Sequence, residues 1–281
     1  MRAACASICC EALAVKFNDI EFSVDDPVAI VRLNRPEKLN AFTYDTLREI
    51  RAAVDAAVAD PRVVGIVITG TGRGFSAGLD SATLAAVTSA PAAPRAAEPD
   101  ALPGIFSYLL EVPKPVIAAI NGVAAGGGLI LALMSDLRIA SRDASFTTVF
   151  LKRGLIAEHG SSWLLPRLVG VGRALDLLWM SDRIDAETAL RVGLVEWVVE
   201  PDALLATAID YVRRLATTSA PGAIAETKRL IYRHLGSGYV EALREADASQ
   251  WKFVSAPDAR EGAIALIEKR APKFKRLGEG D

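Results

Sequence analysis

The sequence predicts an α/β fold that ends in a helical region, and three observations carry the prediction. Short apolar runs alternate with segments of helical periodicity up to about residue 200. Glycine-rich turns follow two of those runs, and beyond Asp185 helical patterns dominate. Strands alternating with helices and then an all-helical tail give an α/β core with a C-terminal helical part.

Residues 17–24 and 28–33 alternate or run apolar around Asp25-Asp26-Pro27 and predict a β-hairpin. Over 44–59, Leu47, Ile50, Val54 and Val58 share one face at helical spacing. Residues 63–69 predict a buried strand that runs into a glycine-rich turn. The Ala- and Pro-rich stretch 82–103 has no periodicity and reads as a mobile surface loop. A strand at 115–120 leads through a glycine run into a helix ending near Ser135, followed by a strand at 137–141 and a helix at 162–169. Past Asp185, helices are expected at 186–192, 202–217, 222–235, 239–254 and 258–269, with a short strand at 195–199. The expected organisation is a poorly ordered segment 1–16, a core over 17–200 and a helical region over 201–281.

The 281 residues are 51% hydrophobic, enough for a sizeable core. A formal net charge of −2 offers no basic excess for a nucleic-acid backbone. Cys5, Cys9 and Cys10 crowd the start of the chain, so neither a disulfide framework nor a spaced zinc set is expected. Glu11 interrupts the mildly apolar opening segment, which resembles neither a signal peptide nor a membrane span. The sequence-level expectation is a cytoplasmic chain with no membrane or nucleic-acid partner. His234, beside Lys228, Arg229 and Arg233, reads as part of a solvated helix face, while Trp163 and Trp179 read as core aromatics.

The glycine segments carry the chemistry. Gly72–Asp80 follows the strand 63–69, and Asn121–Gly128 follows the strand 115–120 and opens a helix. Small residues let backbone approach a ligand, and a helix N-terminus offers unpaired N–H groups at the positive end of its dipole. One N–H from each turn could converge on an oxygen that becomes negative during reaction. Tight packing alone would also use such glycines. No Lys-Ser/Thr pair follows the last glycine, so a P-loop is excluded, and the dinucleotide fingerprint is poor.

Leu33–Phe42 (LNRPEKLNAF) resembles the opening motif of the enoyl-CoA hydratase/isomerase, or crotonase, family. Gly74–Asp80 and Asn121–Gly128 are similar to its two oxyanion-hole segments. Residues 185–199 and the ending Glu268–Phe274 also match, so the resemblance spans about 17–275. It implies a crotonase-like spiral of ββα units with a C-terminal α-helical region that assembles as a homotrimer or a dimer of trimers. It implies an acyl-CoA thioester as substrate, with coenzyme A arriving as part of it and no separate cofactor or metal. By matching positions, the N–H groups of Leu79 and Gly127 would hold the thioester oxygen, flanked by Ala77, Gly78, Asp80 and Gly126. For Asp80 itself a turn or cap role is favoured. Lys38 would pair with a CoA phosphate. Lys269 and Phe274 resemble positions that reach CoA from a neighbouring subunit.

The chain departs from the family's hydratases at both catalytic glutamates, for Ile130 and Phe150 stand at the matching positions. A different carboxylate, Glu158, lies in a segment that looks like the one carrying the single glutamate of the family's enoyl-CoA isomerases. One such carboxylate can take a proton from the carbon α to the thioester and return it two carbons away. Ile130, Phe150 and Trp163 would wall off water from it, and His159 either orients it or serves packing. The leading expectation is therefore enoyl-CoA double-bond isomerisation with Glu158 as acid/base. The alternatives are an enoyl-CoA hydratase of the fatty-acid β-oxidation type and a non-catalytic acyl-CoA binding protein. The loop 82–103 and Phe106 are expected to border the acyl pocket.

Overall fold

The computed structural model describes residues 16–89 and 103–279. The chain opens with strands β1 (Ile20–Asp25) and β2 (Val28–Leu33), an antiparallel hairpin pairing Ile20 with Leu33, and helix α1 (Tyr44–Ala59). Three strand–strand–helix units follow. They are β3 (Gly65–Gly70), β4 (Gly74–Ser76) and α2 (Ser81–Ser89); β5 (Val116–Ile120), β6 (Val123–Ala125) and α3 (Gly127–Met134); and β7 (Leu137–Ser141), β8 (Ser145–Thr147) and α4 (Ser161–Val169). In each unit the first strand joins one sheet and the second strand joins another. The main sheet has the order β1-β2-β3-β5-β7-β10, and the small sheet the order β4-β6-β8-β9. Helix α5 (Val171–Met180), β9 (Ile184–Asp185), α6 (Ala186–Arg191) and β10 (Trp197–Val199) complete the sheets. Helices α7 (Leu204–Thr218), α8 (Pro221–His234), α9 (Tyr239–Val254) and α10 (Pro257–Glu268) form the C-terminal helical region.

The main sheet is covered on both sides, which explains its nearly unbroken apolar strands. In β3, Ile66 and Ile68 face the larger core with Ile50 and Val54 of α1, while Val67 faces the other way onto Val212 of α7. β5 repeats this, with Ala118 and Ile120 on one side and Ile117 and Ala119 on the other. Helix α1 starts at Thr43, whose hydroxyl accepts from the Thr46 N–H while Thr46 reciprocates.

Buried polar groups fasten the helical region to this core. Asp136 accepts from the Val116 N–H at 2.7 Å, from Lys228 Nζ at 2.7 Å and from the Tyr232 hydroxyl at 3.0 Å. Lys228 also donates to the Leu109 carbonyl at 3.0 Å. Burial pulls the Lys228 ammonium below its ordinary pKa even though Asp136 opposes the shift. At the far end, Arg276 donates to the Arg62 carbonyl at 2.5 Å and pairs with Asp26 at 3.0 Å, so the tail returns to the point where the parallel strands begin.

Several expectations change. Residues 82–89 of the expected loop belong to α2, which buries no side chain and therefore carries no apolar periodicity; its Ser- and Ala-rich sequence tolerates the helix. The rest of that loop, 90–102, and the segment 1–15 with its cysteines lie outside the described residues. Lys228 does not sit on a solvated face: it is 9% exposed, with Asp136 and backbone carbonyls accepting its hydrogen bonds. His234 is half-buried and faces Glu245 at 3.5 Å. Trp179 is not a core residue but is 64% exposed on α5. No helix among the described residues is long and apolar enough to cross a membrane.

Candidate active site

The glycine turns meet at the finishing ends of β2, β3 and β5. Phe42 and Leu79 form a parallel bridge in which the Phe42 N–H donates to the Gly78 carbonyl at 2.7 Å and the Asp80 N–H to the Phe42 carbonyl at 2.8 Å. With both flanking groups turned to Phe42, the N–H of Leu79 itself points away from that strand. Gly78 has φ +87°, and a Cβ there would lie 2.7 Å from the Ala125 carbonyl oxygen and 2.8 Å from the Gly127 nitrogen. Gly127 begins α3, so its N–H is one of the first four that find no acceptor within the helix. The Leu79 and Gly127 N–H groups thus border the same small space, floored by Phe42, whose ring meets Phe106 edge-on at 5.4 Å.

Side chains that the sequence reading did not single out hold this geometry. Asn40 donates to the Thr71 carbonyl at 3.0 Å and the Gly74 carbonyl at 2.7 Å, and accepts from the Arg35 N–H. Asn121 accepts from the Gly70 N–H at 3.0 Å and donates to the Gly72 carbonyl at 2.8 Å. Ser76 accepts from the Gly78 N–H at 3.1 Å. Arg35 donates to the Ala41 carbonyl at 2.5 Å and lies 3.7 Å from Asp80. For Asn121 the available signal was its place at the head of a glycine turn, since Asn can serve donors and acceptors of exposed backbone at once; Asn40 lies in the Leu33–Phe42 motif, far along the chain from the turn it holds.

The remaining predicted residues divide between this space and the rest of the chain. Ala77 donates its N–H to the Leu39 carbonyl, and Gly126 donates its own to Thr147. Asp80 is occupied by Arg35 and by the Ala82 N–H, a structural use at the start of α2. Lys38 is exposed on a short 3-10 turn whose next residue, Leu39, packs on Gly74. Ile130 and Phe150 are buried, at 0% and 5% exposure, so apolar side chains occupy both positions. Phe274 packs on Gly262 and lies two residues from Arg276, which reaches Arg62 and Asp26. Lys269 caps the C-terminal end of α10 and is exposed.

Glu158 stands in the turn before α4, where its carbonyl accepts from the Ser161 N–H at 3.0 Å. Its carboxylate lies 3.4 Å from His159 Nε2, and both side chains are 31% exposed. His159 takes φ +51°, an uncommon conformation for a non-glycine residue. Two consecutive residues link this turn to the glycine turns. A Cβ on Gly104 would touch the His159 Cα at 3.6 Å, and Ile105 Cδ1 comes within 3.6 Å of the Cβ position of Gly127. The carboxylate's turn and the Gly127 N–H therefore flank the same segment. Two such donors and a carboxylate, brought to one ligand, can stabilise an oxyanion and move a proton next to it. Among the described residues, no group of three His, Cys, Asp or Glu side chains could hold a metal ion.

Comparison with known proteins gives the family. A family model described as enoyl-CoA hydratase/isomerase matches residues 24–277. The chain is 36% identical over 263 residues to a 1,2-epoxyphenylacetyl-CoA isomerase of Escherichia coli (strain K12), covering 89% of this chain and 96% of that protein. It is 36% identical over 261 residues to a crotonyl-CoA hydratase of Syntrophomonas wolfei, covering 92% and 98%. The crystal structure of an enoyl-CoA hydratase from Mycobacterium tuberculosis H37Rv superposes with a TM-score of 0.82 at 31% identity, covering 93% of this chain and 99% of that one. With a match across nearly the whole chain, and strands and glycine turns in the places such a site needs, the protein belongs to the enoyl-CoA hydratase/isomerase family and has the crotonase fold.

Proposed function

We propose that this protein isomerises the double bond of an enoyl-CoA, with Glu158 as the acid/base. The Leu79 and Gly127 N–H groups hold the thioester oxygen, and the charge that develops there on enolisation meets donors that need no rearrangement. Glu158 removes a proton from the carbon α to the thioester and returns it at C4, so the double bond moves and nothing is added. The observation that carries this reading is the pair of buried apolar side chains, Ile130 and Phe150, where a hydratase of the family would need carboxylates. With no pair of carboxylates there to activate water, one-carboxylate chemistry fits better than hydration. Gly78 and Gly126 leave room for the thioester, Lys38 pairs with a CoA phosphate, and His159 orients Glu158. Lys269 and Phe274 serve the site of a neighbouring chain in a homotrimer or dimer of trimers. Coenzyme A enters as part of the substrate.

The test follows 3-enoyl-CoA and 2-enoyl-CoA by mass spectrometry and ultraviolet absorbance, with wild-type protein and Glu158→Gln. Migration of the double bond at constant mass is expected, with the variant slower by about 100-fold or more. A gain of one water that persists in Glu158→Gln would overturn the assignment in favour of a hydratase, the activity named for the Syntrophomonas relative. Acyl-CoA binding with neither reaction would favour a non-catalytic role.

A further inference from the structure

Behind the Glu158 turn lies a cavity of about 930 Å³, bounded by residues 103–113, the end of α3, the start of α4, one face of α8, the end of α9 and Leu277 of the tail. Leu110, Val112, Met134, Trp163, Tyr232 and Phe253 give it mostly apolar walls. Its volume lies at the upper end of the range of about 300–1,000 Å³ usual for small-molecule sites. Its cations are already matched: Lys228 pairs with Asp136, Arg229 with Glu226 and Glu245, and Arg233 with Glu245. Those pairings leave the three cations no demand for a second anion, and of the two carboxylates in the lining Glu226 is held by Arg229 while Glu111 is exposed to water, so the chemistry of the walls favours an uncharged hydrocarbon.

Its position relative to the glycine turns sets a length. Gly127 and Met134 are the two ends of α3, and eight residues rising about 1.5 Å each separate them by about 10 Å. Gly160 lines the cavity one residue after His159, and Pro103 lines it one residue before Gly104, whose Cβ position lies 3.6 Å from the His159 Cα. A chain leaving a thioester at Gly127 and passing Glu158 would therefore enter the cavity at the Met134 end. An alkyl zigzag of about 1.5 Å bonds advances about 1.3 Å per carbon, so about eight carbons cover the distance.

We infer that this cavity receives the distal part of the acyl group, making the preferred substrate the CoA thioester of an uncharged hydrocarbon chain longer than about eight carbons. The inference rests on the acyl-CoA reading above but not on which reaction follows. Each further methylene that enters adds about 0.8 kcal/mol, or about fourfold in affinity.

The test measures dissociation constants of saturated butanoyl-, octanoyl- and dodecanoyl-CoA by calorimetry, which needs no turnover. The wild-type protein is expected to bind dodecanoyl-CoA at least tenfold more tightly than octanoyl-CoA. Gly222→Leu and Ala225→Phe, which fill the cavity from α8, should each cut that ratio below about threefold. A Cβ at Gly222 meets Phe253 at an ordinary 3.7 Å, so this variant has room to fold even if Ala225→Phe does not. A flat profile beyond octanoyl-CoA in the wild type, or a rise that survives both variants, would overturn the inference alone. Failure of every thioester to bind, butanoyl-CoA included, would overturn the acyl-CoA reading and the inference with it.

Discussion

A Cβ on Gly128 would stand 2.2 Å from the carbonyl oxygen of Ser76, a backbone atom that cannot swing aside. Ser76 also holds the Gly78 N–H through its hydroxyl, so any shift forced on it reaches the oxyanion turn. Gly128→Ala is expected to lower stability by about 1–3 kcal/mol, the usual cost of overpacking, and to weaken acyl-CoA binding together with it. Denaturant midpoints and calorimetry on the same samples check both parts; a variant with unaltered midpoint would show that the two turns do not press on one another as described. Asn40 and Asn121 matter at the same scale, because each amide satisfies carbonyls that the glycine turns leave outside any sheet ladder. Their importance was only partly visible in the sequence. Asn40 and Asn121 stood inside recognised motifs, but nothing in a linear string shows that residues 40 and 121 both reach the Gly74 carbonyl.

Among elements, legibility followed burial. Strands β3 and β5 are covered on both faces, so their apolar runs announced them, and α1 shows its stripe because only one side is buried. β4, β6 and β8 are three residues each, too short for any period to register, and with them the small sheet went unseen. The joint between α1 and β5 offers a pH-dependent test. Lys114 precedes β5 at 1% exposure and donates to the Ala57 and Asp60 carbonyls at 2.9 and 2.7 Å. Burial pushes its ammonium down to about 8, so above that pH the folded chain has released a proton that the unfolded chain still binds. Stability attributable to Lys114 therefore rises with pH from about 8 to about 10.4, at up to about 1.4 kcal/mol per unit. Unfolding free energies at pH 7.5 and 10 should show the wild type gaining about 2 kcal/mol relative to Lys114→Met. Parallel pH profiles for the two proteins would disprove the linkage.

At the scale of the whole molecule, several large apolar side chains of the C-terminal helices stand in solvent. Tyr239, Leu266 and Ile267 are 80%, 81% and 80% exposed, and Trp251 is 62% exposed. Apolar side chains left this far in water are candidates for an interaction surface. If self-association covers it, light scattering should report three or six times the 29.9 kDa chain mass, and Leu266→Asp with Ile267→Asp should shift the population to single chains. A wild-type monomer at micromolar concentration would rule the assembly out. The overall plan, an α/β core followed by helices, could be read from the sequence because its units recur in order; the return of the tail could not. Arg276 reaches a carbonyl 214 residues earlier, on Arg62. At about 5–20 residues per second, a ribosome needs about 10–40 s between making the two partners. During that interval the first hairpin and α1 do without this contact, so any folding that precedes it rests on their own ladder and caps and on the residues made in between.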